Sequence, residues 1–483
     1  MKYFKKLSAL ALAALIAIPT SSYAVGSGGY ENATFSPKQI GRGFSGTAVA
    51  EEPAAISSNP SAINDLPGIQ FQGSANFINM WTHIHSNQAN RGSTDSSATT
   101  NVVPTMYLSV NPGNKLDLNN RLAFGVGIDS PFGLANKYDS GFTGTHYTGF
   151  RNWIKMYSIK PVVSFRLADW ISLGGGPVWY RSFGVGQVAA YPNVGLASFG
   201  FVPATIGDGQ IRADMSGNAW GWQLGTTIKP LPKHKLGFYF RSPAKLTLKG
   251  LAKGENIADA GGTTSTNGKF ETGVHTKQDI PLNMTWGYNY EVNDKTDISA
   301  DFGFTRWSSF DNLNIVADPI SGTTLGGLSA AHDGLITSLF NTPGLGGASD
   351  KDWRNAYSFA VGGRHDFTEK FSMRTGALFW LTPVPKTHLT PVIPDSNRLA
   401  ASVSGTYKVT PNLDFDLAYM GVFFLSRTTN NNISETLGTS VDGRYSSFLH
   451  ICSAGLTYRW DGFKSSPNTE DWEGSTLSTD KRP

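Results

Sequence analysis

The stretch Leu282-Asn-Met-Thr-Trp-Gly-Tyr-Asn-Tyr290 (LNMTWGYNY) carries an apolar or aromatic side chain at every second position, with small or polar residues between them. Successive residues of a β-strand point to opposite faces of a sheet, so this spacing predicts a strand with one apolar and one polar face. The same two-residue period recurs in segments 236–240, 298–304, 357–361 and 413–419. The pattern indicates an all-β protein.

The connections between these segments alternate in length. Short polar turns lie at 168–169, 293–295, 368–370 and 410–412. Short turns at one end and long loops at the other are typical of a transmembrane β-barrel, whereas a water-soluble β-sandwich should have shorter apolar faces and balanced loops. The long connections are rich in Gly, Ser, Thr and Asn and lie at about 83–99, 130–150, 186–208, 251–278, 311–353 and 426–446.

The alternating segments number fourteen, an even number that would leave both chain ends in the periplasm. We therefore predict an antiparallel 14-stranded transmembrane β-barrel over residues 68–462. The predicted strands are 68–82, 100–111, 120–129, 151–167, 170–185, 209–229, 234–250, 276–292, 295–310, 354–367, 370–381, 397–409, 412–425 and 447–460.

Aromatic residues near the strand ends are expected to form interfacial girdles. Cys452 has the same strand parity as Leu456 and Trp460, so we predict that it faces lipid. As the single cysteine, it also excludes an intrachain disulfide. The tryptophans predicted to lie in the girdles are Trp153, Trp170, Trp307, Trp353, Trp380 and Trp460.

The chain begins with a basic start, an apolar run and Ser22-Tyr-Ala24, which predicts a secretory signal peptide over residues 1–24. Its removal takes away three lysines and lowers the formal charge from +4 to about +1. A charge this close to zero argues against a nucleic-acid partner. The polar end of the chain, residues 463–483, has little to bury and is predicted to be a disordered tail.

Residues 25–67 do not alternate and are rich in small residues. A fourteen-stranded barrel has a lumen wide enough to leak unless it is filled. We therefore predict that this segment is an N-terminal plug, or hatch, inside the barrel. A disordered periplasmic extension is the weaker alternative, because apolar residues such as Ile56 and Ile63 need burial.

Two motifs in the predicted hatch make the chain recognisable. Gly41-Arg-Gly-Phe-Ser-Gly46 and Asn59-Pro-Ser61 resemble the hatch motifs of the FadL/TodX family of outer-membrane transporters for long-chain fatty acids and other hydrophobic compounds. The chain departs from the family pattern at Gly43 and Ser61, where alanines are usual. Further similar stretches are Trp353-Arg-Asn-Ala-Tyr357, Arg374-Thr-Gly376, Pro383-Val-Pro385 and Ile393-Pro-Asp-Ser-Asn-Arg398.

The resemblance gives a meaning to the stretch Ile128-Asp-Ser-Pro-Phe-Gly-Leu134 on the third strand. In that family the third strand is kinked inward, and the gap lets an apolar ligand leave sideways into the lipid. Pro131, Phe132 and Gly133 occupy the matching place, and Pro131 has no N–H for a strand ladder. From local sequence alone, the simple end of a strand would be the alternative reading.

The resemblance also implies the ligand contacts. Arg354, and less directly Arg181, are candidates to bind a carboxylate, although either could instead hold the plug in a lumen salt bridge. Phe44 and Ile56 are the candidate apolar ligand contacts in the hatch. The gating residues implied by the motif are Asn59, Pro60 and Ser61.

The expected function is passive uptake of long-chain fatty acids across the Gram-negative outer membrane. The alternatives are an aromatic-hydrocarbon channel of the same family, an ungated porin and an outer-membrane lipase. The histidines are scattered outside any serine motif, so we expect no enzymatic activity. No metal or other cofactor is expected, and the expected surroundings are a monomer in contact with outer-membrane lipid and lipopolysaccharide.

Overall fold

The structure is a computed structural model. The predicted signal peptide and the predicted tail lie outside the residues that it describes. Those residues are 29–32, 36–87, 92–97, 100–113, 121–191, 193, 207–257, 268–310, 312–313, 315–318, 349–350, 352–429 and 441–460.

The fold is a closed antiparallel β-barrel of fourteen strands, as predicted, and β14 pairs with β1 from Trp460 opposite Ile69 to Gly443 opposite Ser86. The strands, in chain order, are β1 Ile69–Ser86, β2 Thr100–Val110, β3 Leu122–Asp129 continuing as Gly133–Lys137, β4 Arg151–Ala168, β5 Ile171–Tyr191, β6 Gly209–Leu231, β7 His234–Arg241 continuing as Ala244–Ile257, β8 Gly268–Ile280 continuing as Asn283–Asn293, β9 Thr296–Thr305, β10 Ala356–Asp366, β11 Phe371–Trp380, β12 Arg398–Thr410, β13 Leu413–Phe424 and β14 Gly443–Trp460.

Short elements accompany the barrel. No helix among the described residues is long and apolar enough to span a membrane. The helices are α1 Pro37–Gly41 and α2 Thr143–His146, and the 3₁₀ turns are Pro53–Ser57, Pro60–Asp65, Trp307–Ser309 and Lys386–His388. The short strands are Ser93–Asp95, Asn312–Leu313, Val316–Ala317, Ser349–Asp350 and Arg427–Thr429.

The two faces of the strands have the polarity that the alternation predicts. In β13, Leu417 is 52 % exposed on the outer face, whereas Asp414 and Asp416 are buried on the inner face. Cys452 is exposed on the outer face of β14, as is Leu456. The outer face therefore forms an apolar band that suits lipid, while the inner face can pair polar groups.

The N-terminal segment lies against the inner faces of strands on several sides of the barrel. Lys38 Nζ lies 3.1 Å from Asp414 Oδ2 of β13, and Asn64 Nδ2 donates to Ser164 Oγ of β4 at 2.6 Å. Arg42 Nη1 lies 2.6 Å from an Asp297 carboxylate oxygen of β9. The segment is thus surrounded by barrel strands, while the exact extent 25–67 stays a prediction.

Several strands are longer than the alternation indicated. β1 continues to Ser86, β5 to Tyr191 and β7 to Ile257, while β8 begins at Gly268 and β14 at Gly443. Backbone hydrogen bonds extend these strands beyond the apolar band, where an apolar outer face is no longer required. The predicted loops were therefore too long.

β7 and β8 are not continuous, contrary to the prediction. They break at Ser242-Pro243 and Pro281-Leu282. In β7 the outward-facing residues have even numbers before the break and odd numbers after it. Proline cannot donate to the ladder, and a one-residue slip moves every later side chain to the other face.

The girdle prediction is wrong for four of the six tryptophans. Trp170 and Trp460 are 56 % and 41 % exposed on the outer face, as expected. Trp153, Trp307, Trp353 and Trp380 are buried instead. Position near a strand end does not fix which face a side chain occupies, and two of the four form part of an aromatic cluster in the interior.

Candidate functional site

β3 is interrupted at residues 130–132. Asp129 pairs with Ser158 of β4, and Gly133 pairs with Lys155. Between these two pairs β3 advances by four residues, whereas β4 advances by three. The extra residue makes a bulge that bends the strand. On the other side, β2 pairs with β3 only over residues 106–110, so no described pairing joins residues 100–105 of β2 to β3.

The N-terminal residues pair with this interruption. Asn32 N donates to the Pro131 carbonyl at 2.8 Å, and Gly133 N donates to the Tyr30 carbonyl at 2.9 Å. Glu31 forms an antiparallel bridge with Phe132. The N-terminal segment therefore satisfies backbone groups that a continuous strand would have paired with its neighbour.

Phe132 points into the interior and is fully buried. Its ring centroid lies 5.7 Å from that of Tyr30, 6.4 Å from Tyr180 and 6.5 Å from Trp307. Trp353 extends the cluster at 5.1 Å from Trp307. The cluster continues into a larger apolar core that includes Leu134, Met156, Val178, Ile211, Met215, Leu246, Leu248, Phe270, Val274 and Phe310.

The barrel interior is therefore polar around the hatch and apolar beside the interruption. The inner face of the upper part of β7 shows the change, since Leu246 and Leu248 are buried there while Lys245 and Lys249 are exposed on the outer face. An apolar interior is suited to a hydrophobic molecule rather than to a hydrated ion.

A buried ion pair lies at the edge of the aromatic cluster. Arg241 Nη2 lies 2.7 Å from Glu31 Oε1, and both side chains are nearly inaccessible to solvent. The Arg241 guanidinium carbon also lies 5.0 Å from the centre of the Phe132 ring. Among the described residues, Arg241 Nε and the Tyr180 hydroxyl, both buried, have no hydrogen-bond partner. These groups could bind an anionic head group.

A cavity of about 110 Å³ adjoins this ion pair between the hatch and the barrel wall. Arg241, Glu31, Lys160 and Phe44 line it. Phe44 thus lines a cavity, and its role as a ligand contact stays a prediction. Ile56 does not line this cavity, because it packs tightly against the backbone of β3, where a Cβ at Gly125 would come within 2.7 Å of its side chain.

Neither predicted arginine lines the cavity. Arg354 has an exposed side chain, and its backbone N donates to the Pro383 carbonyl at 2.8 Å. Arg181 has the outward parity of β5, so its neighbour Tyr180 faces the interior instead. The prediction that Arg181 binds a ligand in the lumen is corrected accordingly. The sequence analysis did not identify Arg241, the buried cation beside the aromatic cluster. Its only sequence signal is its place on the polar face of an alternating strand, just before Ser242-Pro243.

The motif Asn59-Pro60-Ser61 attaches the hatch to β6. Asn59 caps the following 3₁₀ turn by accepting from Ser61 N at 3.2 Å, and it donates to the Thr47 carbonyl at 2.8 Å. Ser61 Oγ lies 2.7 Å from Thr227 Oγ1 of β6. Pro60 begins the turn and sits so close to β6 that a Cβ at Gly225 would approach it to 2.7 Å. These contacts are structural, and a gating role stays a prediction.

A second buried cluster links the hatch to the interruption. Asp129, the last residue before the break, accepts from Ser57 Oγ of the hatch at 2.6 Å and from Ser158 Oγ at 2.5 Å. Lys160 Nζ lies 2.6 Å from the same carboxylate. Movement of the hatch would therefore remove a hydrogen bond from the residue that ends the first part of β3.

Two adjacent hatch carboxylates differ in their electrostatics. Burial would raise the pKa of Glu51, but the guanidinium groups of Arg374 and Arg42 outweigh it and hold that pKa well below its usual value. Burial raises the pKa of Glu52 to about 7, despite an opposing effect of Lys38. Glu51 thus holds the hatch in place as a carboxylate. Burial of Glu52 instead disfavours its ionised form, so that ionisation of Glu52 weakens the docking of the hatch.

Comparison with known proteins agrees with this architecture. Residues 18–460 match the family model described as outer membrane protein transport protein (OMPP1/FadL/TodX). The chain belongs to this family. It is accordingly an outer-membrane β-barrel of Gram-negative bacteria, as the sequence resemblance predicted.

Similar proteins span nearly the whole barrel. The long-chain fatty acid transport protein of Salmonella typhi is 26 % identical over 439 residues, which are 86 % of this chain and 91 % of the relative. A FadL homologue of Pseudomonas aeruginosa has a TM-score of 0.71 at 21 % identity, covering 90 % of this chain and all of the other. The toluene transporter TodX of P. putida has a TM-score of 0.64 at 16 % identity, covering 91 % and 99 %.

Proposed function

We propose that this protein takes up long-chain fatty acids across the outer membrane by passive transfer through the barrel and lateral exit at the interruption of β3. The observation that carries the proposal is the pairing of the N-terminal residues 30–32 with residues 131–133, beside an apolar interior that contains a buried cation. A porin that passes hydrated solutes has no use for such an interior.

Fatty acid is the preferred ligand class because the site combines both parts of that molecule. The aromatic and aliphatic interior would replace water around the chain, which favours binding by about 25 cal/mol per Å² of apolar surface buried. Arg241 would receive the carboxylate in place of Glu31, so that the ligand exchanges one carboxylate for another without leaving a buried cation unpaired. The similarity to the long-chain fatty acid transport protein of Salmonella typhi supports the same class.

The steps of transfer follow from the positions of these groups. A ligand captured at the extracellular loops enters the apolar interior and competes with Glu31 for Arg241. Loss of that ion pair frees the residues that pair with Pro131 and Gly133. The ligand then leaves between β2 and β3, where residues 100–105 of β2 lack pairing with β3. The hatch over 25–67 acts in this proposal as the plug that keeps the lumen closed to ions.

Aromatic hydrocarbons are the second candidate class. The cluster of Tyr30, Phe132, Trp307, Phe310 and Trp353 would favour stacking with a flat ligand. Structures that share the fold are described as toluene transporters and as a monoaromatic hydrocarbon channel. A monoaromatic ligand would leave Arg241 paired with Glu31, which is the difference between the two candidates.

The test is uptake of radiolabelled oleate and toluene by cells that lack their own transporter of this family and express this chain. Solvent extraction and mass spectrometry of the purified protein, in a detergent without a carboxylate, identify the bound ligand. Oleate uptake with co-purified fatty acid supports the proposal. Uptake of toluene without oleate would replace it by the aromatic candidate, and uptake of neither would remove both.

A further inference from the structure

The outer faces of β6, β7 and β8 change polarity at one level. Below the breaks at Pro243 and Pro281, the outer face carries exposed or half-buried aromatic residues such as Trp222, Phe240 and Trp286. Above them, on the loop side, the outer residues of β7 and β8 are mainly charged or polar. The apolar band that faces hydrocarbon therefore ends at these breaks.

Three lysines lie close together immediately above this boundary. Lys277 of β8 lies in the same cross-strand row as Thr247 of β7, and Lys245 and Lys249 lie two residues to either side of Thr247 on the same face. All three lysines are exposed. Diagonal neighbours of this kind are about 7–8 Å apart at Cα, so the flexible ammonium groups can converge on one anion.

These lysines differ in their pairing from two basic residues nearby. Higher on the same face, Lys253 lies 2.7 Å from Glu271 and Arg212 lies 3.4 Å from Asp214. Among the described residues, no ion pair within 4 Å involves Lys245, Lys249 or Lys277. Asp279 lies opposite Lys245 in the strand pairing and His275 lies opposite Lys249. Asp279 thus offsets part of the charge, while the next carboxylates, Asp214 and Asp318, lie 3.4 Å from Arg212 and 3.3 Å from His275.

The short turns and long loops fix which leaflet this boundary faces. β7 starts at the tight turn after Leu231 and ends towards the long connection beyond Ile257, so the lysines lie at the extracellular end of the barrel. The lipid at that end of an outer membrane is lipopolysaccharide, whose phosphates lie just above its acyl chains. Exposed Trp220 and Trp222 on the neighbouring strand offer an apolar surface to those chains.

We propose that Lys245, Lys249 and Lys277 form a binding site for the phosphate groups of lipopolysaccharide on the outer face of the barrel. The phosphates sit among the three ammonium groups and the acyl chains lie along the aromatic residues of β6 and β7. This site is independent of the ligand path inside the barrel. It holds a lipid at the wall of β6–β8, away from the interruption of β3.

The test measures binding of bisphosphorylated lipid A to the full barrel in nanodiscs of neutral phospholipid. The variant Lys245→Ala/Lys249→Ala/Lys277→Ala removes the site. The matched control Lys295→Ala/Lys370→Ala/Lys408→Ala removes three exposed lysines at the opposite end of the barrel. Each lysine beside an anionic membrane surface contributes about fivefold, so the site variant should bind at least about tenfold more weakly while the control binds like the parent.

Two further arms identify the source of the affinity. Fully dephosphorylated lipid A should bind parent and site variant alike, and inorganic phosphate should compete with lipid A only weakly because it lacks the acyl chains. Equal lipid A binding by the site variant and the control would overturn the proposal. An equal loss of binding to phosphorylated and dephosphorylated lipid A in the site variant would also overturn it. The parent's heat-modifiable mobility in the site variant establishes that the variant is folded.

Discussion

The ion pair between Arg241 and Glu31 allows a sharp test of how the interior recognises its ligand. Replacing Arg241 by Met alone would leave Glu31 buried without its cation, at a cost of about 3–5 kcal/mol that would disturb the N-terminal residues themselves. We therefore consider the double variant Arg241→Met/Glu31→Gln. It removes both charges and keeps the size of both side chains similar.

The expected magnitude follows from the chemistry of the pair. A hydrogen bond between a guanidinium and a carboxylate contributes about 1.5–3 kcal/mol, so the double variant should lose roughly 10- to 150-fold in affinity for a long-chain fatty acid. The fatty alcohol of the same chain length has no carboxylate and should bind parent and variant within about threefold. Glu31→Gln alone should bind fatty acid more tightly than the parent, because the competing carboxylate is gone while Arg241 remains.

Isothermal titration of purified protein in a neutral detergent measures these affinities. Arg181→Gln and Arg354→Ala are the controls, because the first residue faces outwards and the second is exposed. Equal losses of acid and alcohol in the double variant would show that Arg241 is structural. A loss of acid binding in Arg354→Ala, with none in the double variant, would refute the reasoning and restore the assignment made from sequence.

Three other variants test the hatch and the wall. Deletion of residues 41–62 should turn a nearly insulating protein into a wide ion channel in planar bilayers, and unchanged low conductance of a folded deletion variant would remove the plug role. Because its pKa is raised, Glu52 contributes a stabilisation of the docked hatch that is fully present below pH 4.5 and is lost as pH rises through about 7. Channel openings should therefore be more frequent at pH 8 than at pH 5. Glu52→Gln should abolish that difference, and a persisting difference would assign it to another group. Gly133→Arg should block oleate uptake while leaving capture from outside intact, and near-normal uptake would argue against exit at this point.

The fold was predictable because lipid outside and polar groups inside impose a period of two on each strand. That period identified fourteen strands and the outward position of Cys452. It failed at Pro243 and Pro281, where the strands break and exchange faces, because the sequence shows the proline but not the resulting slip of register.

The interior site was less predictable. The stretch around Pro131 contains its own signal, since a missing N–H must interrupt a ladder. Arg241 has no comparable signal, because its role depends on Glu31, a residue 210 positions away that reaches it only when the N-terminal segment lies inside the barrel. Trp307 and Trp353 were placed on the wrong side for the same reason, since their partner is Tyr30.

Lateral exit is the central claim, and straightening β3 tests it most directly. The strand contains one residue more than its partner between Asp129 and Gly133, so deletion of Phe132 with Pro131→Thr should restore both register and N–H. A matched control is deletion of Phe183, because β5 has one extra residue between Ser182 and Gly184 relative to β4, at the same level as the interruption but on the side of β4 opposite β3.

The measurement is the initial rate of oleate uptake by cells expressing equal amounts of folded parent, straightened variant and control. Lateral exit predicts that uptake by the straightened variant falls to the level of cells without the protein, while the Phe183 deletion transports like the parent. Uptake at the parental rate by the straightened variant would contradict the account, because it would mean that the ligand passes down the lumen.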